Sequence, residues 1–68
     1  MKRGNQKMTK TEIKKMISQQ YGFKTNLITL LETSTTYGEI SYVMFEVLGI
    51  EYQSSLHNGN WELTIYKQ

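Results

Sequence analysis

Thr36-Tyr37-Gly38-Glu39-Ile40-Ser41-Tyr42-Val43-Met44-Phe45-Glu46-Val47-Leu48-Gly49 is the stretch on which the fold turns. Its residue types favour a strand: Tyr42, Val43, Phe45 and Val47 are β-branched or aromatic. Its spacing favours a helix. Ile40, Val43, Met44, Val47 and Leu48 fall at i, i+3, i+4, i+7 and i+8, an arc of roughly 140° at about 100° per residue. Glu39, Ser41, Tyr42 and Glu46 then lie outside the arc, with Phe45 on its border. As a strand, the stretch would put Ile40, Tyr42, Met44, Glu46 and Leu48 on one face and Ser41, Val43, Phe45 and Val47 on the other. Neither of those faces is cleanly polar.

The flanking segments favour the helix. Thr9-Lys10-Thr11-Glu12 is a capping box, in which the Thr hydroxyl and the Glu carboxylate each accept from the other's backbone N–H. Ile13, Met16, Ile17 and Tyr21 follow at helical spacing, and Gly22 supplies a left-handed stop. This predicts a helix over residues 10–21. Thr36-x-x-Glu39 repeats the capping pattern and Gly49 repeats the stop. With propensity a weak guide, the spacing predicts a second copy of the same punctuation, a helix over 39–48. Between them, Thr25 or Asn26 can cap a short helix carrying Leu27, Leu30 and Leu31 on one face; the same residues 26–33 could also make a short strand, with Leu favouring the helix and Thr and Ile the strand. Thr33-Ser34-Thr35-Thr36 reads as a polar break.

The end of the chain alternates. Residues 50–56 and 61–67 are period-two segments around His57-Asn58-Gly59-Asn60, and Asn-Gly is the preferred pair of a type I′ hairpin turn. Trp61, Leu63 and Ile65 share one face. Ile50, Tyr52 and Leu56 make the partner face, diluted by Ser54.

The expected fold is therefore α+β: three short helices followed by a C-terminal β-hairpin. That element order resembles a minimal winged helix-turn-helix, a likeness of architecture with no motif residues behind it. The alternative, which follows if the central stretch is a strand, is an N-terminal helix with a three- to four-stranded antiparallel meander or small barrel. Residues 1–8 read as a flexible basic arm and 9–68 as a single small domain.

At 68 residues the chain makes a marginal core. It has no Cys, so disulfides and thiolate-ligated metals are excluded, and His57 stands alone. No metal or cofactor is expected. Gly-rich phosphate loops, His/carboxylate metal spacings and nucleophile motifs are all missing, so no enzymatic activity is expected. Self-association into a homodimer would supply stability that a small core lacks. No apolar segment approaches a membrane span and no signal-type segment is visible, which predicts a cytoplasmic protein without a membrane partner.

Charge is unevenly placed. The net +2 is the sum of +6 over residues 1–24 and −4 over residues 25–68. Arg3, Lys7, Lys10 and Lys14 fall at spacings of four, three and four and, with Lys15, form the candidate nucleic-acid-binding stripe. In the winged-helix arrangement the third helix would meet the major groove, yet it offers Glu39, Ser41, Tyr42, Phe45 and Glu46 where Arg, Lys, Asn or Gln usually read bases. Tyr37, Tyr42, Phe45 and Glu46 instead suit a protein interface, where aromatic residues are enriched. The hairpin tip His57, Asn58 and Asn60 would be the wing tip. The expected function is a small winged-helix-like nucleic-acid-binding regulator. The alternative is a protein-binding inhibitor or adaptor of phage or mobile-element type that acts on a host protein. A barrel-like RNA binder is a lesser alternative tied to the strand assignment.

Overall fold

A computed structural model describes residues 9–67. It contains one α-helix, α1 (Lys10–Tyr21), and four strands: β1 (Ile28–Thr36), β2 (Glu39–Val47), β3 (Ile50–His57) and β4 (Asn60–Lys67). A short 3₁₀ turn at Thr25–Leu27 links helix to sheet. The strands form one antiparallel sheet in the order β1-β2-β3-β4. The expectation of three helices and a winged-helix arrangement is thereby overturned. The alternative of a helix followed by a four-stranded meander describes the chain.

Helix α1 forms as its punctuation dictates. The Thr9 N–H donates to Glu12 Oε1 at 2.8 Å, and the Glu12 N–H donates to Thr9 Oγ1 at 3.2 Å. Gly22, at φ 87°, closes the other end, its N–H donating to the Ser18 carbonyl at 2.8 Å. The expected second helix gives way to the 3₁₀ turn and β1, and the expected third fails because its boundary signals are degenerate. Thr36 and Glu39 are cross-strand partners that flank the turn Tyr37-Gly38. A capping box and a two-residue hairpin both bring residues i and i+3 together. Gly49 likewise needs positive φ, but as the second residue of the turn Leu48-Gly49. Three turns, Tyr37-Gly38, Leu48-Gly49 and Asn58-Gly59, have φ of 51–54° followed by 80–85°. Positive φ at both central residues is the signature of type I′, whose twist matches that of the strands it joins.

With β2 a strand, alternation decides burial. Val43, Phe45 and Val47 turn toward α1 and meet Ile13, Ile17 and Ile28 in the buried core. Phe23, Phe45 and Tyr52 form an aromatic cluster at its centre, with ring centroids 5.1–5.8 Å apart. Tyr21 stands 6.4 Å from Phe23. Ser54, which dilutes the partner face of the hairpin, is fully buried on this side. It hydrogen bonds the Tyr21 hydroxyl, which meets the requirement that a buried polar group find a partner. Bulges break the β1–β2 register between Leu30 and Glu32 and between Ser34 and Thr35, and the β3–β4 register between Glu51 and Tyr52. The second of these returns Ile40 to the helix side, where it packs against the core.

Helix α1 crosses the sheet obliquely. Its start, at Lys10 and Ile13, lines a shallow cleft with Leu30, Leu31, Glu32 and Thr33 of β1. Its end reaches Ser54 of β3 through Tyr21. Among the described residues no helix is long and apolar enough to cross a membrane.

Candidate protein-binding face

The side of the sheet away from α1 has no element packed on it among the described residues. Register places Thr29, Glu32 and Ser34 of β1, Tyr42, Met44 and Glu46 of β2, Glu51, Gln53 and Ser55 of β3, and Glu62, Thr64 and Lys67 of β4 on this open face. Four of these are carboxylates. Met44 sits beside Glu32 on one side and Gln53 on the other, and Ser55 and Ser34 flank Tyr42.

Two features mark this face. Glu46 and Glu51 are directly opposed across the β2–β3 pair, and like charges so placed are destabilising. Glu46 offsets part of this by accepting a hydrogen bond from the Gly49 N–H at 3.2 Å, which braces the Leu48-Gly49 turn. Lys67 lies opposite Glu51 from the other strand. Tyr42 is the second feature. Burial, then the nearby Glu32 carboxylate, then Tyr66 all raise its hydroxyl pKa above the ordinary tyrosine value of 10.0. Each acts by disfavouring the phenolate. Tyr42 therefore stays a neutral hydrogen-bonding group among acids, aromatic in body and polar at its tip.

The structure brings together some of the expected site residues and separates others. Tyr42 and Glu46 share the open face, half-buried. Phe45, between them, points the other way and is 0 % exposed, because alternation sends neighbours to opposite faces. It is a core residue and cannot touch a partner. Tyr37 is 100 % exposed, but it occupies the first position of the β1–β2 turn. Lys10, Lys14 and Lys15 lie on α1, with Lys10 and Lys15 exposed and Lys14 half-buried. Arg3 and Lys7 lie outside the described residues. His57, Asn58 and Asn60 are exposed at the β3–β4 turn as expected, and with the winged-helix arrangement gone they form an ordinary hairpin tip.

Sequence reasoning missed Met44, Glu32, Gln53 and Tyr66 as neighbours of Tyr42, and Glu51 as the partner of Glu46. The signal was present in the period-two reading of 40–48, which already set Tyr42, Met44 and Glu46 on one face. Among the described residues no group of three or more His, Cys, Asp or Glu could hold a metal ion. No family model, no curated protein and no solved structure matches this chain.

Proposed function

We propose that this chain is a protein-binding module that takes a basic segment of its partner on the open face of the sheet. The observation that carries the reading is the opposed pair Glu46–Glu51, with Met44 next along β2 on the same face and Tyr42 one step further. An arginine or lysine placed between those carboxylates would relieve their repulsion and form charge-assisted hydrogen bonds. Met44 supplies a polarisable contact next to it, and Tyr42 an aromatic one for the next residues of an extended segment lying along β2. This is the inhibitor-or-adaptor alternative, moved from a helix face to a sheet face.

The test is an NMR titration with a short Arg/Lys-rich peptide and with an acidic peptide of equal length. The basic peptide should shift Tyr42, Met44, Glu46, Glu51 and Gln53, and the acidic one should not. A Tyr42→Ala, Glu51→Gln double variant should bind the basic peptide at least about tenfold more weakly, a loss of about 1.4 kcal/mol. Unchanged binding by that variant, with its fold intact by circular dichroism, defeats the reading.

A second reading follows from Lys10, Lys14 and Lys15, which lie on the helix, on the opposite side of the sheet from the acids. That side would take phosphates of a nucleic acid, as expected from the sequence. Such binding should weaken steeply between low and moderate salt. No affinity for duplex or single strand at low salt removes it.

A further inference from the structure

Strand β4 is an edge strand, and it is unlike the other edge. Strand β1 is interrupted by a bulge at Leu31 and, from Glu32 on, is exposed and mostly Thr and Ser. Bulges and polar residues are the ordinary means of blunting an edge. Strand β4 runs in unbroken register with β3 from Asn60 to Ile65, its one irregularity lying beyond, at Tyr66.

Turn geometry fixes which backbone groups this edge leaves free. A two-residue type I′ turn makes its flanking residues, His57 and Asn60, a hydrogen-bonded pair. Such pairs then alternate with non-bonded ones along the hairpin. Counting from Asn60, Glu62 and Thr64 bond to β3. The N–H and C=O groups of Trp61, Leu63 and Ile65 point away from it, to the open edge. The same three residues place their side chains on the helix side of the sheet, opposite Leu56, Ser54 and Tyr52. Helix α1 reaches from β1 at its start to β3 at its end. Trp61 packs against the core margin, while Leu63 is 36 % and Ile65 51 % exposed. Among the described residues, free hydrogen-bonding groups and uncovered apolar side chains thus belong to one short run of chain.

We propose that this edge pairs with β4 of a second copy, antiparallel, about a two-fold axis at Leu63. The strand is self-complementary in that register. Leu63 meets Leu63 of the partner subunit, and Trp61 meets the partner's Ile65 on each side of the axis. All three residues are of the outward-bonding set, so about six main-chain hydrogen bonds form, two per pair. Aromatic–β-branched cross-strand pairs are favourable ones. The charges agree with this register and not with its neighbours. On the open face Glu62 meets the partner's Thr64. A shift one way sets Glu62 against its own symmetry mate, a direct like-charge clash. A shift the other way sets Trp61 against the partner's Lys67 and runs into the irregularity at Tyr66. The product is a closed, isologous dimer with one eight-stranded sheet, both helices on the same side. This inference does not depend on the proposed open-face ligand, since it rests on the β4 edge and not on the Glu46–Glu51 pair.

The chain has no cysteine, which permits a direct test. A hydrogen-bonded antiparallel pair holds its Cα atoms about 5.5 Å apart, within the range a disulfide spans. Leu63→Cys under mild oxidation should give a homodimer that reducing agent reverses. Thr29→Cys, on the β1 edge, should stay monomeric. In sedimentation equilibrium the wild type should be a dimer at micromolar concentration. Ile65→Lys should be a monomer with an unchanged far-ultraviolet spectrum. A wild type that is monomeric at millimolar concentration overturns the proposal and leaves the edge to a strand of another protein. A dimer that survives Ile65→Lys, or that cross-links as well through Thr29→Cys, also overturns it.

Discussion

Tyr42 and Phe45 show how much one choice of period changes at single residues. Helical spacing sets Tyr42 outside the core and Phe45 at its rim. Alternation sets Phe45 at the centre of the core and Tyr42 on the open face. Tyr42 and Glu46 were legible as lying off the core under either period, because both periods separate them from Val43 and Val47. The place of Phe45 was not legible, since its aromatic ring suits an interface and a core equally well. Tyr42 also carries a pH signature. Its pKa in the fold is raised by burial first, then by Glu32 and Tyr66. A raised pKa means that the folded state holds the proton more tightly than the unfolded state. The associated stability is complete below the unfolded value of 10.0 and is lost as pH rises through the higher folded value. Between pH 8 and pH 11 the melting temperature of the wild type should therefore fall further than that of Tyr42→Phe. Equal falls would show that Tyr42 does not titrate against the fold.

At the scale of elements, α1 and the β3–β4 hairpin were legible because their signals are specific. A reciprocal capping box followed by a helical apolar run has few other uses, and Asn-Gly between alternating segments has few others. Strands β1 and β2 were legible only as the alternatives to two helices. Thr-x-x-Glu and a trailing glycine serve a helix and a hairpin alike, since both constructions require the same i, i+3 closeness and the same positive φ. The better guide is the recurrence of Gly38, Gly49 and Gly59 at intervals of eleven and ten residues, the interval of short strands joined by tight turns. The residues before those glycines are Tyr37, Leu48 and Asn58, all at positive φ. Asn adopts that conformation readily, whereas a left-handed Leu costs roughly 1–2 kcal/mol. Leu48 is also 77 % exposed, so little packing compensates. Leu48→Asn should stabilise the protein by about 1 kcal/mol in urea unfolding. A loss of stability would mean that Leu48 makes contacts the fold needs.

Among the described residues most charges are sorted by the thickness of one sheet, Glu12 of α1 and Lys67 opposite Glu51 being exceptions. Lysines of α1 stand on one side, and Glu32, Glu46, Glu51 and Glu62 on the other. The two proposed ligand classes would therefore approach from opposite directions without competing. The meander has a second consequence, one of timing. Each strand pairs with the next one in the chain, so the sheet can assemble through short loop closures, which are fast. The Tyr21–Ser54 bond is different, joining residues 33 apart in sequence. It can close only when the helix lies across a sheet that already presents β3. Removing it should leave the refolding rate nearly unchanged and quicken unfolding. In stopped-flow kinetics Tyr21→Phe should give a φ-value near zero, while Gly49→Ala in the β2–β3 turn should slow folding itself. The opposite ranking would make helix docking the first step. In the order expected here, the hydroxyl pair Tyr21–Ser54 acts as a latch that shuts late and sets how long the folded state lasts.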